Sequence, residues 1–319
     1  MTTSGGLLGD QIVIDKSISV YVFHDEREIP NKWLYHGFLY ISAGELSRIR
    51  EKLHQKRNEI GYDDEIKFRK LRNTNKINQL AIDWVKIAID EILGQNMWFY
   101  FFGVNYTKLN KEVWSHKRVP REFKIYNKFF QIGLYGSIKW FFGEYDICII
   151  EGVFSDRRNL PSGDAFAYEP IEKIFLRTLQ SEAKPFVNFR FFRIAQINSN
   201  HKMEPRFSSY SHFVQLVDLL VGGFSQIYDA TSKDEGKCKI AELLLNKGLP
   251  HEIMGYGKQH FDSKYYKKVC VSFFPRDRLD KNTLLEGSWR YMTDQFYNIR
   301  QSNFIDGSRY PLFNLEEET

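Results

Sequence analysis

The chain has 319 residues, 43% of them hydrophobic, which supplies a sizeable core and excludes a disordered polymer. Its 45 lysines and arginines against 40 acids leave a net charge of +5, a balance compatible with a polyanionic partner but not demanding one. Three scattered cysteines, Cys148, Cys238 and Cys270, exclude a disulfide scaffold, and the start shows no signal pattern. No run approaches about 18 uninterrupted apolar residues, so the expectation is a soluble cytoplasmic protein without a membrane partner.

After a leader over residues 1–16, "SISVYVFHDE" (17–26) and "WLYHGFLYIS" (33–42) read as a hairpin of two strands across a link holding Pro30 and Asn31. "SAGELSRIREKLHQKRNEIG" (42–61) predicts a charged helix with Ser42 as N-cap and Gly61 as terminator. A second helix over 76–94 spaces Ile77, Leu80, Trp84, Ile87 and Ile92 on one face, and "MWFYFFGVNY" (97–106) follows as an aromatic strand. Next come a helix over about 122–142, a buried strand "YDICIIEGVF" (145–154), a helix at 168–180 and a strand at 187–197. The helix "HFVQLVDLLVGG" (212–223) closes a core that spans 17–230. Residues 231–319 predict a mainly helical C-terminal extension packed on that core, with a strand at "KKVCVSFF", an amphipathic stretch and an acidic tail. The order predicts an α/β domain in layers, with a mixed sheet between helices.

Four acids stand where packing alone would not place them. Asp25 ends the first strand, Glu65 opens "EIKFRKL", Glu151 ends "ICIIE" with Asp156 as the alternative acid of that strand, and Asp218 interrupts the apolar helix. An isolated buried carboxylate costs several kcal/mol or takes up a proton, whereas several converging on a divalent cation escape that penalty. One or two Mg2+ or Mn2+ ions held by Asp25, Glu65, Glu151 and Asp218 would suit phosphodiester cleavage. Solvated turn residues and a structural hydrogen-bond network are the plainer readings. Helical steps from Asp218 run through Ser211, Gln215, Gly222 and Ser225, a narrow polar or small stripe on an otherwise apolar helix. Lys67, Arg69 and Lys70 follow Glu65 directly and read as a substrate-binding strip for phosphates, with Gln215 as a further substrate contact. His24 and His212 are candidates as proton carriers or phosphate contacts, although a lone histidine is more often structural. No phosphate loop, GxSxG elbow or HExxH pair is present.

Taken in order, "YVFHDE", "GFLYIS", "EIKFRKL" and "QLVDLLVGG" resemble the domain-of-unknown-function family numbered 3800 over residues 17–230. The resemblance implies a ribonuclease H-like fold with a two-metal nuclease centre, in a phage-defence or mobile-element setting. It places Asp25, Glu65 and Asp218 as acids with Gln215 as companion, and Glu151 where the middle-strand acid is expected. The chain departs from the family pattern at Asp25-Glu26-Arg27-Glu28, which lacks the usual Ser-Gly, and in carrying glutamate at position 151.

The expectation is therefore a metal-dependent nuclease, a hydrolase of ester bonds acting on DNA or RNA. The alternative is a non-catalytic nucleic-acid-binding or assembly subunit that keeps the ribonuclease H-like fold. A strand-transfer enzyme is a third reading. The C-terminal extension is the expected surface for a second copy or a partner protein.

Overall fold

A computed structural model describes residues 16–30, 32–73, 76–109, 121–157, 159–160, 163–164, 185–229, 232–252 and 263–274. The leader, the helix expected at 168–180, the amphipathic stretch and the acidic tail lie outside the described residues.

Strands β1 (Ser17–Ile29) and β2 (Trp33–Ser42) form the expected hairpin, pairing antiparallel from Val20↔Ser42 to Ile29↔Trp33. β1 is longer than its apolar run suggests. Asp25 therefore lies inside the strand, opposite Gly37, rather than at its end. A short 3-10 turn (Ala43–Glu45) then leads into α1 (Leu46–Ile60), and the Ser42 side chain makes no capping bond. The helix starts later than its serine suggested because Ser42 is still the last residue of β2. Gly61 does end it, in the left-handed conformation with φ +64° that glycine adopts at little steric cost.

Helix α2 (Lys76–Leu93) and strand β3 (Met97–Asn105) match their expected spans, and β3 continues the antiparallel meander beside β2. Helix α3 (Arg121–Phe142) leads to β4 (Ile147–Asp156), which runs parallel to β1 on its other side. A two-stranded ribbon of β5 (Asn159–Leu160) and β6 (Gly163–Asp164) follows. The strand expected at 187–197 is two pieces, β7 (Phe186–Phe189) and β8 (Ile194–Ile197), each pairing parallel to a different half of β4. The break falls at Arg190–Arg193, where Phe191 is 68% exposed, so the alternating pattern there does not reflect one continuous strand.

Helices α4 (Ser208–Asp229) and α5 (Glu235–Lys247) pack on each other, and β9 (Val269–Phe274) joins β3 in parallel. The described strands form a seven-stranded mixed sheet in the order β7-β4-β1-β2-β3-β9, with β8 also on β4. The segment expected as a C-terminal extension thus supplies a strand of the main sheet.

The alternation of side chains along each strand sorts the core into two layers. Phe23, Tyr35, Leu39, Phe99 and Phe101 face α1, α2, α4 and α5, whereas Val20, Val22, Phe38, Tyr100 and Phe102 face α3. Helix α4 is almost wholly buried, which accounts for its apolar composition. No described helix is long and apolar enough to cross a membrane.

Candidate functional site: an acid cluster at the β1–β4 junction

The parallel β1–β4 ladder runs to His24↔Ser155, so the next residues, Asp25 and Asp156, are neighbours on adjoining strands. Two-residue alternation puts Asp25 on the same face as Phe23, whose ring lies 4.8 Å from that of Phe213 on α4. That face receives Asp218. Its Oδ2 accepts a 2.6 Å hydrogen bond from the backbone N–H of Phe68, in the loop between α1 and α2. Gly222 makes the approach feasible, because a Cβ there would sit 2.1 Å from Cγ of Phe68.

Three aspartates from β1, β4 and α4 thus share one electrostatic environment. Burial holds the Asp25 carboxyl well above the usual carboxylate range, and Asp156, Asp218 and Glu26 push it the same way. Burial raises Asp218 to about 6, although the Phe68 N–H and the charges of Lys67 and Arg27 oppose the shift. Burial raises Asp156 too, against Lys67 and two bonds from Ser199.

Each aspartate has one oxygen fixed by the main chain. Asp25 Oδ1 accepts from the Glu26 N–H at 2.8 Å, and Asp156 Oδ1 from the N–H groups of Arg157 and Ser199 at 3.0 and 3.1 Å. Asp156 Oδ2 receives the Ser199 hydroxyl at 3.2 Å, and the same hydroxyl lies 2.7 Å from Glu65 Oε1. Lys67 Nζ bridges the two acids, 3.2 Å from Glu65 Oε1 and 3.7 Å from Asp156 Oδ2. Burial disfavours the Lys67 charge, but Asp156 and Glu65 outweigh it and raise its pKa; the Ser199 bond and Lys67 hold Glu65 down against its own burial.

Glu151 does not join this cluster. It is the residue skipped where the β1–β4 register shifts between Val20 and Tyr21, and its oxygens take Ser19 Oγ at 2.6 Å and Arg190 at 3.5 Å. Five strand steps, roughly 16 Å, separate it from Asp156. The alternative acid of that strand occupies the junction instead.

Gln215 is not placed as a substrate contact. It is fully buried, its Oε1 accepts from Arg57 at 2.9 Å and from the Ile66 N–H at 3.1 Å, and its Nε2 donates to the Ser199 carbonyl at 2.6 Å. It fastens the loops carrying Glu65 and Ser199 to α4. Lys70 is exposed and pairs with Glu65 at 3.3 Å, and Arg69 is exposed with no ion pair among the described residues.

Sequence reasoning missed two members. Ser199 carried no motif, because its role depends on the turn after β8. Arg27 follows Asp25 by two residues and shares its face, with the guanidinium 5.1 Å from the Phe68 ring centre and within electrostatic reach of Asp218 and Asp229. Strand alternation was the signal that marked it.

Among the described residues, no group of three or more His, Cys, Asp or Glu side chains has metal-ligating geometry. No protein-family model and no curated protein matches the chain, so the family resemblance rests on the quoted segments.

Proposed function

We propose that the protein is a metal-dependent nuclease on a ribonuclease H-like core, with Asp25, Asp156 and Asp218 as its central acids. The carrying observation is the convergence of these three carboxylates from β1, β4 and α4, with proton affinities raised by burial and mutual repulsion. Such groups are over-represented at functional sites. The antiparallel β1–β2–β3 meander with β4 parallel to β1 supports the ribonuclease H-like reading.

Carboxylate oxygens are the donors a hard divalent cation takes, although the three aspartates do not stand in metal-ligating geometry in this structure. Backbone N–H groups orient one oxygen of each aspartate, which is how outer contacts prepare carboxylate ligands. Asp25, Asp156 and Asp218 would hold Mg2+ or Mn2+, with Glu65 alongside, and the bound ion would supply Lewis acidity for phosphodiester hydrolysis. Lys67 supplies positive charge between Glu65 and Asp156, Ser199 keeps these two acids in register, and Arg27, Arg69 and Lys70 present cations for backbone phosphates.

The Lys67 bridge also favours a second reading, in which the acids form a structural network in a nucleic-acid-binding subunit. Incubation with single- and double-stranded DNA, RNA and hybrids, with Mg2+, Mn2+ or chelator, separates the two. The nuclease reading expects metal-dependent cleavage that Asp156→Asn abolishes and Glu151→Gln retains. Absence of cleavage, together with a melting temperature indifferent to both metals, would favour the structural network.

A further inference from the structure

Between α1 and the start of α4 lies a pocket of about 330 Å3. That volume is at the small end of the roughly 300–1,000 Å3 range of small-molecule sites. His212 forms part of its wall and is 4% exposed, yet its Nδ1 is buried without any hydrogen-bond partner. Its ring is packed 5.6 Å from Trp84, 5.8 Å from His54 and 5.0 Å from His201. Buried polar atoms are almost always satisfied, so this nitrogen is unusual, but it has no surface open to the pocket, and the ring lines the wall through its other atoms.

The remaining wall is rich in donors. Arg50 makes no ion pair among the described residues, and the hydroxyls of Ser208 and Ser209 make no hydrogen bond there. Arg57 and Arg50 both act on that imidazole as positive charges. Glu51 is the one acid in the wall. A cation there would face Arg50 as well as that carboxylate, and among the described residues no three histidine or acid side chains form a metal-ligating group.

We propose that this pocket binds a phosphate group, presented by a free nucleotide or by the end of a nucleic-acid strand. Arg50 supplies the counter-charge, Ser208 and Ser209 donate hydroxyl hydrogens, and His54 and His212 offer imidazole N–H groups. The inference goes beyond the nuclease reading and does not depend on it, since no step requires Asp25, Asp156 or Asp218.

The test is a titration of the full chain with inorganic phosphate, without divalent metal and at constant ionic strength, following histidine side-chain NMR resonances. A saturable shift of the His212 resonances at millimolar phosphate is expected, with 5′-AMP binding at least about tenfold more tightly than adenosine. Arg50→Ala, a partly exposed change that leaves the core intact, should weaken phosphate binding about tenfold while the melting temperature stays put. Comparison of 5′-phosphorylated with 5′-hydroxyl oligonucleotides separates the sources. A preference for the phosphorylated strand beyond that of AMP points to a strand end, and equal binding points to a free nucleotide; both support the proposal. No saturable shift with any phosphate, or undiminished binding by Arg50→Ala, would overturn it. Loss of nuclease activity alone would leave this result unchanged.

Discussion

Replacing Asp218 with asparagine should stabilise the protein at neutral pH while removing it from any metal chemistry. Its carboxyl is raised from 3.8 to about 6 in the folded state, chiefly by burial. The folded form therefore binds the proton more tightly than the unfolded form. Below the unfolded value the group carries no penalty; the penalty grows as pH rises from about 4 to about 6 and is complete above that. A shift of this size corresponds to about 3 kcal/mol of lost stability at pH 8. Asparagine keeps an acceptor for the Phe68 N–H, and the charge assistance of that 2.6 Å bond is already contained in the net shift. The net expectation is a variant more stable by about 3 kcal/mol at pH 8 and no more stable at pH 4. Denaturant unfolding of both proteins at the two pH values measures it. Glu91, lowered to about 2 by Arg48, Lys52 and Asn96 against its own burial, titrates in the opposite sense but is common to both proteins and cancels in the difference. A variant less stable than the parent at pH 8, or an equal difference at both pH values, would refute the argument.

Mg2+ or Mn2+ should raise the melting temperature of the parent and not that of Asp25→Asn, read by thermal melting at matched ionic strength. Gln215→Leu should cost about 3–5 kcal/mol in chemical denaturation, because it leaves Arg57 Nη2, the Ile66 N–H and the Ser199 carbonyl without their Gln215 partner in a buried site. Gly222→Ala should cost about 1–3 kcal/mol and, on the nuclease reading, weaken cleavage, since its methyl would collide with the ring of Phe68, the residue whose backbone N–H orients Asp218.

Much of the architecture was legible because its signals are local. β-rich segments on either side of Pro30 and Asn31 marked β1 and β2, the glycine stop marked the end of α1, and helical spacing with a glycine stop marked α2. The stripe on α4 faces internal partners, although Gln215 serves the loops and not a substrate. Ser211 donates to the carbonyls of Asn198 and Phe207, Gln215 ties the 62–66 and 199 loops, and Gly222 admits Phe68. What stayed hidden was non-local. The pairing of β9 with β3 joins segments more than 160 residues apart, and nothing within "KKVCVSFF" specifies its neighbour.

The choice between Glu151 and Asp156 shows the limit at the site itself. Both are acids on one strand, and "ICIIE" suggests that the strand ends at Glu151, because a charge there interrupts an apolar run. The strand instead continues through Gly152, Val153 and Phe154, because β1 and β8 flank it on both sides and bury that stretch. A bulge absorbs Glu151, letting its carboxylate reach Ser19 and Arg190, and the alternation restarts beyond it. The restarted phase is what brings Asp156 beside Asp25 on the face that α4 covers. A one-residue irregularity, set by pairing with β1 and invisible within β4 alone, thereby selects which acid meets Asp218.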